Sequence, residues 1–252
     1  MILQIENLSF TYHSKDTETK AVDDMNFSVN EGEFLGIVGP SGCGKTTILN
    51  LLAGIETPSS GRILLRGEPL SSKGNEIALM PQRDQLFEWR TIEKNVCLGL
   101  EILKKNSPEN KAYGRELLEK YGLKDFLKKH PSELSGGMRQ RVALIRTLVT
   151  APSVLLLDEP FSALDFQTRL NVCDDVHSII KQEKKTALLV SHDINESISL
   201  CDRIIVLSAR PAKIKADVKV DLDKSLTPLQ RRESPRFSKY FEEIWRLLEV
   251  RK

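Results

Sequence analysis

The 252-residue sequence has no apolar run approaching the ~20 residues a bilayer-spanning helix needs, and no secretory leader at its N-terminus. The chain is therefore expected in the cytosol. Cysteine is scarce: Cys43, Cys97, Cys173 and Cys201 show no C-x-x-C spacing, which argues for structural thiols against a disulfide or metal framework. A charge excess of one sign is also missing. The 37 basic and 35 acidic residues leave a net charge of +2, so bulk charge gives no reason to expect a nucleic-acid partner. Apolar residues make up 40% and charged residues 29%, as in a globular protein, and the length suits one large α/β domain or a core with a smaller inserted subdomain.

What is present begins at Gly39-Pro40-Ser41-Gly42-Cys43-Gly44-Lys45-Thr46-Thr47, the pattern G-x-x-x-x-G-K-[ST]. Phe34 to Val38 before it reads as a buried strand, and Ile48, Leu49, Leu51, Leu52 and Ala53 after it as an apolar helical run ended by Gly54. Strand, glycine-rich loop and helix are the context in which this motif binds polyphosphate, through inward amides and a helix N-terminus. Lys45 is expected at the β- and γ-phosphates and the Thr46 hydroxyl on Mg²⁺.

Ahead of this loop, Met1 to Phe10 alternates like a strand, His13 to Lys20 reads as a polar loop, and Ala21 to Val29 resumes a strand pattern. Tyr12, just past the first strand, suits either of two roles: stacking on an adenine ring or packing at the rim of a sheet. Arg62 to Arg66 and Ile77 to Met80 read as further strands, the second ending at Pro81-Gln82. Residues 104–110 read as a polar linker. Ala112, Leu117, Leu118 and Tyr121 share a helix with Gly122 as its stop signal.

Leu134-Ser135-Gly136-Gly137-Met138 opens another helix, a second anion-binding N-terminus. It is either a plain cap or the contact for a nucleotide held by another copy. Val154 to Leu157 is a buried strand with Asp158 and Glu159 at its carboxyl end, where open α/β sheets bind ligands. Asp158 is placed to hold Mg²⁺. Glu159 is placed to polarise a water for in-line attack on a γ-phosphate. Thr186 to Val190 is another buried strand, and Ser191-His192-Asp193 follows it. His192, one of only four histidines, lies at the same sheet edge as the carboxylates. Arg203 to Ser208 is read as the last core strand. In the tail, Phe237, Tyr240, Phe241, Ile244, Trp245 and Leu248 form an amphipathic stripe expected to pack back on the domain.

Taken together, the P-loop, Gln82, Leu134-Ser135-Gly136-Gly137, Leu157-Asp158-Glu159, Ser162-Ala163-Leu164-Asp165 and His192, in this order, resemble the nucleotide-binding subunit of ABC transporters from Tyr12 to about Ala212. The resemblance implies an α/β fold: a P-loop NTPase (RecA-like) core with an antiparallel β subdomain and an inserted helical subdomain. The expected boundaries are 1–82, 83–150, 151–215 and a 216–252 tail. It implies ATP and Mg²⁺, and a head-to-tail dimer in which each ATP lies between one copy's P-loop and the other's Ser-Gly-Gly helix. Tyr12 then becomes the adenine-stacking aromatic, and Lys45, Thr46 and the loop amides the phosphate and Mg²⁺ grip. Gln82 becomes the sensor of Mg²⁺ and attacking water. Ser135, with Gly136 and Gly137, becomes the contact across the dimer, and Asp165 the loop residue that crosses it. Asp158 stands behind Mg²⁺, Glu159 is the general base and His192 the γ-phosphate switch.

The expected partners are a second copy, separate transmembrane permease subunits and a solute-binding protein. The expected place is the cytoplasmic face of the membrane. Trp89-Arg90-Thr91 and Ser208-Ala209-Arg210-Pro211 resemble the nitrate/sulfonate/taurine importer group, which also includes importers of a thiamine precursor. Glu88 departs from that group's common proline, and Ile145 and Thr147 stand where the family commonly has small residues. An exporter ATPase, a non-transport ABC ATPase and a single-subunit P-loop kinase are the alternatives.

Overall fold

Polar side chains do not stop the first two strands. The computed structural model describes residues 1–15, 17–70 and 76–249. In it β1 (Leu3–His13) and β2 (Glu18–Val29) pair antiparallel, with Leu3 opposite Val29 and His13 opposite Glu18. Of the expected loop at 13–20, His13 and Glu18 to Lys20 are thus strand, and Ser14, Lys15 and Thr17 lie outside the two strands. The backbones of an exposed ribbon satisfy each other, and a solvent-facing strand end needs no apolar alternation. β3 (Phe34–Val38) is buried at all five residues and leads into α1 (Lys45–Leu52). β4 (Ser60–Leu65) and β5 (Glu68–Pro69) complete a four-stranded antiparallel sheet of order β2-β1-β4-β5, and β6 (Ile77–Met80) follows.

The next stretch is helical: α2 (Ile92–Val96), α3 (Leu98–Ile102), α4 (Pro108–Lys120) and α5 (Gly136–Leu148). α4 begins inside the expected linker. Pro108 opens the helix rather than breaking it, because a proline's missing N–H is harmless in the first turn and Ser107 accepts from Asn110 N–H as N-cap. Gly122, at φ +75°, follows the helix end.

β7 (Val154–Asp158), α6 (Phe166–Gln182), β8 (Thr186–Ser191), α7 (Ile194–Leu200) and β9 (Arg203–Leu207) return to strand–helix alternation. β10 (Ile214–Lys219) was not expected: the chain turns back and pairs antiparallel with β9, Ile214 opposite Leu207 and Lys219 opposite Arg203. The 215/216 boundary therefore falls inside a strand of the core sheet. Only Val218 of β10 is fully buried, so this edge strand carries little apolar periodicity. α8 (Pro228–Arg232) and α9 (Phe237–Leu248) end the chain. α9 packs on α7 and β9 through Phe237 and Ile244, as the apolar stripe predicts.

The larger sheet has the order β10-β9-β3-β8-β7-β6, with all but β10 parallel. Alternate residues of β3 feed two cores. Leu35 and Ile37 face α1 and the antiparallel sheet, while Phe34 and Val38 face the helical side. Register brings the carboxyl ends together: Val38 pairs with Ser191, Val190 with Asp158, and Leu157 with Met80. The segments after β3, β8, β7 and β6 thus leave the same edge side by side.

Candidate active site

The loop after β3 owes its shape to glycine. Gly42 lies at φ +70° and Gly44 at φ +123°, and a Cβ on Gly44 would stand 2.8 Å from the Ala21 carbonyl oxygen. α1 starts at Lys45 with no side-chain cap, so its first amides are left for a ligand. Lys45 is buried, and its Nζ donates to Gly39 O (2.9 Å) and Pro40 O (3.0 Å). Cys43 turns inward, and burial pushes its thiol up, so it packs rather than reacts. The loop forms one wall of a cleft of about 580 Å³. Ser41, Gly42, Gly44, Lys45, Thr46 and Thr47 line it on that side together with Arg210, and Glu159 and His192 line it as well. Tyr12 reaches the rim: its hydroxyl shares a 3.1 Å hydrogen bond with Thr47 Oγ1, and Phe10 packs edge-on against its half-exposed ring at 4.8 Å.

Two carboxylates leave β7 in different environments. Burial, with the adjacent Glu159 charge, pushes the Asp158 carboxyl up, while a hydrogen bond from the Thr46 hydroxyl and the Lys45 charge oppose the rise. Thr46 and Asp158 therefore form an oxygen-donor corner of the kind that suits a hard divalent ion. Among the described residues no group of three or more His, Cys, Asp and Glu could hold a metal. An ion here would depend on ATP phosphate oxygens and water for its other ligands, the usual habit of Mg²⁺.

Glu159 adopts φ +44°, a left-handed conformation that costs a non-glycine residue free energy and is fixed here by its N–H donating to Val190 O (2.9 Å). Its Oε2 meets His192 Nδ1 at 3.0 Å and accepts from Gln82 Nε2 at 3.3 Å. Oε1 has no protein partner among the described residues. Three adjacent strands, β8, β7 and β6, thus deliver His192, Glu159 and Gln82 to one carboxylate oxygen facing the P-loop. Gln82 Nε2 also donates to Ser162 Oγ (3.1 Å), which in turn donates to the Glu159 carbonyl (3.0 Å).

The remaining expected residues lie elsewhere. None of Ser135, Gly136, Gly137 or Asp165 lines the cleft. Ser135 caps α5, its Oγ accepting from Met138 N–H, and Asp165 caps α6, accepting from Thr168 N–H at 3.0 Å. Hydrogen bonds from Thr168 hold the Asp165 carboxyl low. The two helix starts pack together: a Cβ on Gly137 would sit 2.8 Å from Val172 Cγ2, and one on Gly136 would sit 3.2 Å from Leu164 Cδ2.

Four arginines join the site that the motifs did not reveal. Arg210 grips the P-loop, Nε and Nη2 donating to Gly42 O at 3.1 and 2.8 Å. Arg139 pairs with Asp84 (3.1 Å), and Arg146 donates to the carbonyls of Asp84 (2.6 Å) and Gln85 (2.8 Å), tying the segment after Gln82 to α5. Arg169 donates to Leu164 O (3.0 Å) and faces Asp193 (3.7 Å) and Glu196 (3.8 Å), linking the Asp165 loop to the turn after His192. Apart from the Arg169–Leu164 bond, each contact spans residues distant in the chain, so local pattern carries no trace of it.

A family model described as ABC transporter matches residues 22–162. The chain is 45% identical over 247 residues to the uncharacterized ABC transporter ATP-binding protein YtlC of Bacillus subtilis, covering 98% of this chain and 95% of that one. It is 42% identical over 205 residues to the aliphatic sulfonates import ATP-binding protein SsuB of Bacillus licheniformis, covering 81% and 79%. Among solved structures, the dimeric post-hydrolysis state of the ATP-binding cassette MJ0796, bound to ADP and Pi, is similar with a TM-score of 0.73 and 28% identity, covering 88% of this chain and 100% of that one.

Proposed function

The chain belongs to the ABC transporter family as an ATP-binding, ATP-hydrolysing subunit, and from that premise we propose that it powers import of a small anionic or sulfonate-like solute, or a thiamine-precursor-like one, through separate permease subunits. The observation that carries the hydrolytic part is the Glu159 carboxylate, held at one oxygen by His192 and Gln82 in the cleft that Lys45 also lines. With Oε2 committed, Oε1 is the atom that takes the proton of the attacking water as its oxygen bonds the γ-phosphorus and the bond to the ADP oxygen breaks. Lys45 and the amides of the loop and of the first turn of α1 hold the phosphates, and Tyr12 offers its ring to adenine. Thr46 and Asp158 would hold Mg²⁺, and Gln82, whose Nε2 is held on Glu159 and Ser162, would offer its amide oxygen to the ion. When bound, that ion neutralises charge on the β- and γ-phosphates.

Ser135, Gly136 and Gly137 stand outside their own copy's cleft, which supports a head-to-tail pair in which they reach the partner's γ-phosphate. The dimeric state of the related cassette supports the same reading. Asp165 lies beside them and would cross the same interface. Arg139 and Arg146 make the segment after Gln82 move with α5, so closure of the pair is transmitted to that surface. There, Trp89 is 75% exposed against Phe87, and Ile102 is 70% exposed, an apolar patch suited to a permease helix. Among the described residues no helix is long and apolar enough to cross a membrane, so such a permease would carry the pore and hold this subunit at the cytoplasmic face. A solute-binding protein would complete an importer.

Glu159→Gln should bind ATP and dimerise while turnover falls roughly 10²- to 10⁴-fold, the usual worth of a general base. Turnover at the parent rate would remove Glu159 from the mechanism. For the solute, ATP-dependent uptake of a labelled alkanesulfonate and of an aminopyrimidine into vesicles bearing the subunit and its permease separates the two classes. ATP-dependent efflux would overturn the import reading.

A further inference from the structure

At the edge of the sheet opposite the cleft, a cavity of about 130 Å³ opens between the start of β3, the end of α6 and α8. Four cations, Lys181, Lys185, Lys224 and Arg231, line it against one carboxylate, Asp202. Both Asp202 oxygens are committed: Oδ1 pairs with Lys224 Nζ (2.8 Å) and Oδ2 accepts from Phe34 N–H (3.0 Å). Lys181 Nζ donates to the Lys224 carbonyl (2.6 Å). The Lys185 ammonium has no protein partner among the described residues.

Arg231 is the unusual member. It is only 3% exposed, its Nη1 donates to Ser199 O (3.2 Å), and its Nε has no partner. No carboxylate lies within ion-pair distance of it among the described residues. Burial pulls the guanidinium down and outweighs Asp202 and Asp223, which act on it only at longer range. A buried guanidinium with no direct ion pair and an unpartnered Nε favours an anion. His177, stacked on Phe34 at 6.3 Å, also lines the cavity. Burial and the nearby Arg231 and Lys181 push its imidazole down to about 4, so near neutral pH it offers hydrogen bonding without added charge.

We propose that this cavity is a second anion site, which takes a small tetrahedral oxyanion, inorganic phosphate or sulfate, between Arg231, Lys185 and Lys181. The small volume and the compact cationic lining suit a tetrahedral ion and leave no room for a nucleotide. The site lies beyond the amino ends of strands whose carboxyl ends carry the ATP cleft, roughly 17 Å away along a five-residue strand. It is therefore separate from the γ-phosphate position. An ion there bridges α6 and α8 and pins the segment that leads to α9.

The test uses the full parent chain saturated with ADP and, in parallel, the full chain carrying Lys45→Ala without nucleotide, so that a response common to both does not come from the P-loop. Thermal melting and titration calorimetry are run with phosphate, sulfate and chloride at matched ionic strength. A saturable rise in melting temperature with phosphate or sulfate and not with chloride is expected, and the stronger of the two identifies the preferred ion. Lys185→Ala, a part-exposed side chain whose loss leaves the fold intact, should weaken binding roughly fivefold, the loss expected of one part-exposed charge contact. Arg231→Gln should abolish it. No saturable response common to the two chains, or an equal response in Lys185→Ala, would overturn the proposal and leave Arg231 as a cap on the end of α7.

Discussion

Replacing Ser135 by alanine and by aspartate should separate its two proposed roles. Its Oγ caps α5 by accepting from Met138 N–H. Losing an N-cap costs about 1 kcal/mol, which in a chain of this size lowers the melting temperature by roughly 2–4 °C. Against a usual stability of about 5–15 kcal/mol, that loss leaves the protein folded at 25 °C and cannot by itself slow turnover measurably. A hydroxyl that donates to the partner's γ-phosphate is a different matter. Losing a hydrogen bond to a charged group costs about 1.5–3 kcal/mol, or roughly 10- to 150-fold in rate if it is made in the transition state. Aspartate caps as well as serine and complements the helix dipole, but it sets a carboxylate against the phosphate. Ser135→Asp should therefore melt at or above the parent temperature and still lose at least as much activity as Ser135→Ala. The assay is melting alongside steady-state ATPase at saturating ATP. Parent-rate turnover by Ser135→Asp would leave Ser135 as a cap and nothing more.

Other outcomes follow from the same contacts. Gly44→Ala places a Cβ 2.8 Å from Ala21 O at φ +123°, so a loss of about 1–3 kcal/mol in stability and of nucleotide binding is expected; unchanged melting and ATP affinity would contradict it. His177 has a folded pKa of about 4 against an ordinary value near 6.5, so the unfolded chain takes the proton first and stability is lost as pH falls through that window. His177→Phe should flatten that acid slope by at most about 3 kcal/mol in urea unfolding between pH 7 and 4, and identical slopes would refute the assignment. Arg169→Met should lower kcat roughly 2- to 30-fold with ATP affinity nearly unchanged, since Arg169 links the Asp165 loop to Asp193 rather than touching nucleotide. An equal change in Kd for ATP would mark it as a general structural residue.

Residues that need one local geometry were legible before the fold was known. β6 and β7 stand where their apolar runs placed them, and Gln82 and Glu159 stand just beyond them because strands of a parallel sheet end at a common edge. Features set by distant partners were not legible. β10 reads as tail because an edge strand on β9 needs few buried side chains. Pro108 reads as a breaker unless Ser107 is seen to cap the helix. The grip of Arg210 on Gly42 and of Arg146 on Asp84 and Gln85 depends on pairs far apart in the chain. The separation of Ser135 from the cleft is likewise a property of the three-dimensional fold.

That separation makes the shared site the claim to test most directly. Copies carrying Lys45→Ala and copies carrying Ser135→Asp should each be inactive alone. Mixed in equal amounts with ATP, half of the pairs would combine a sound P-loop from one copy with a sound Ser135 from the other. ATPase activity should recover to about one quarter of the parent rate, one working site in each mixed pair of a two-fold dimer. No recovery on mixing, with both variants folded, would mean that each subunit completes its own site.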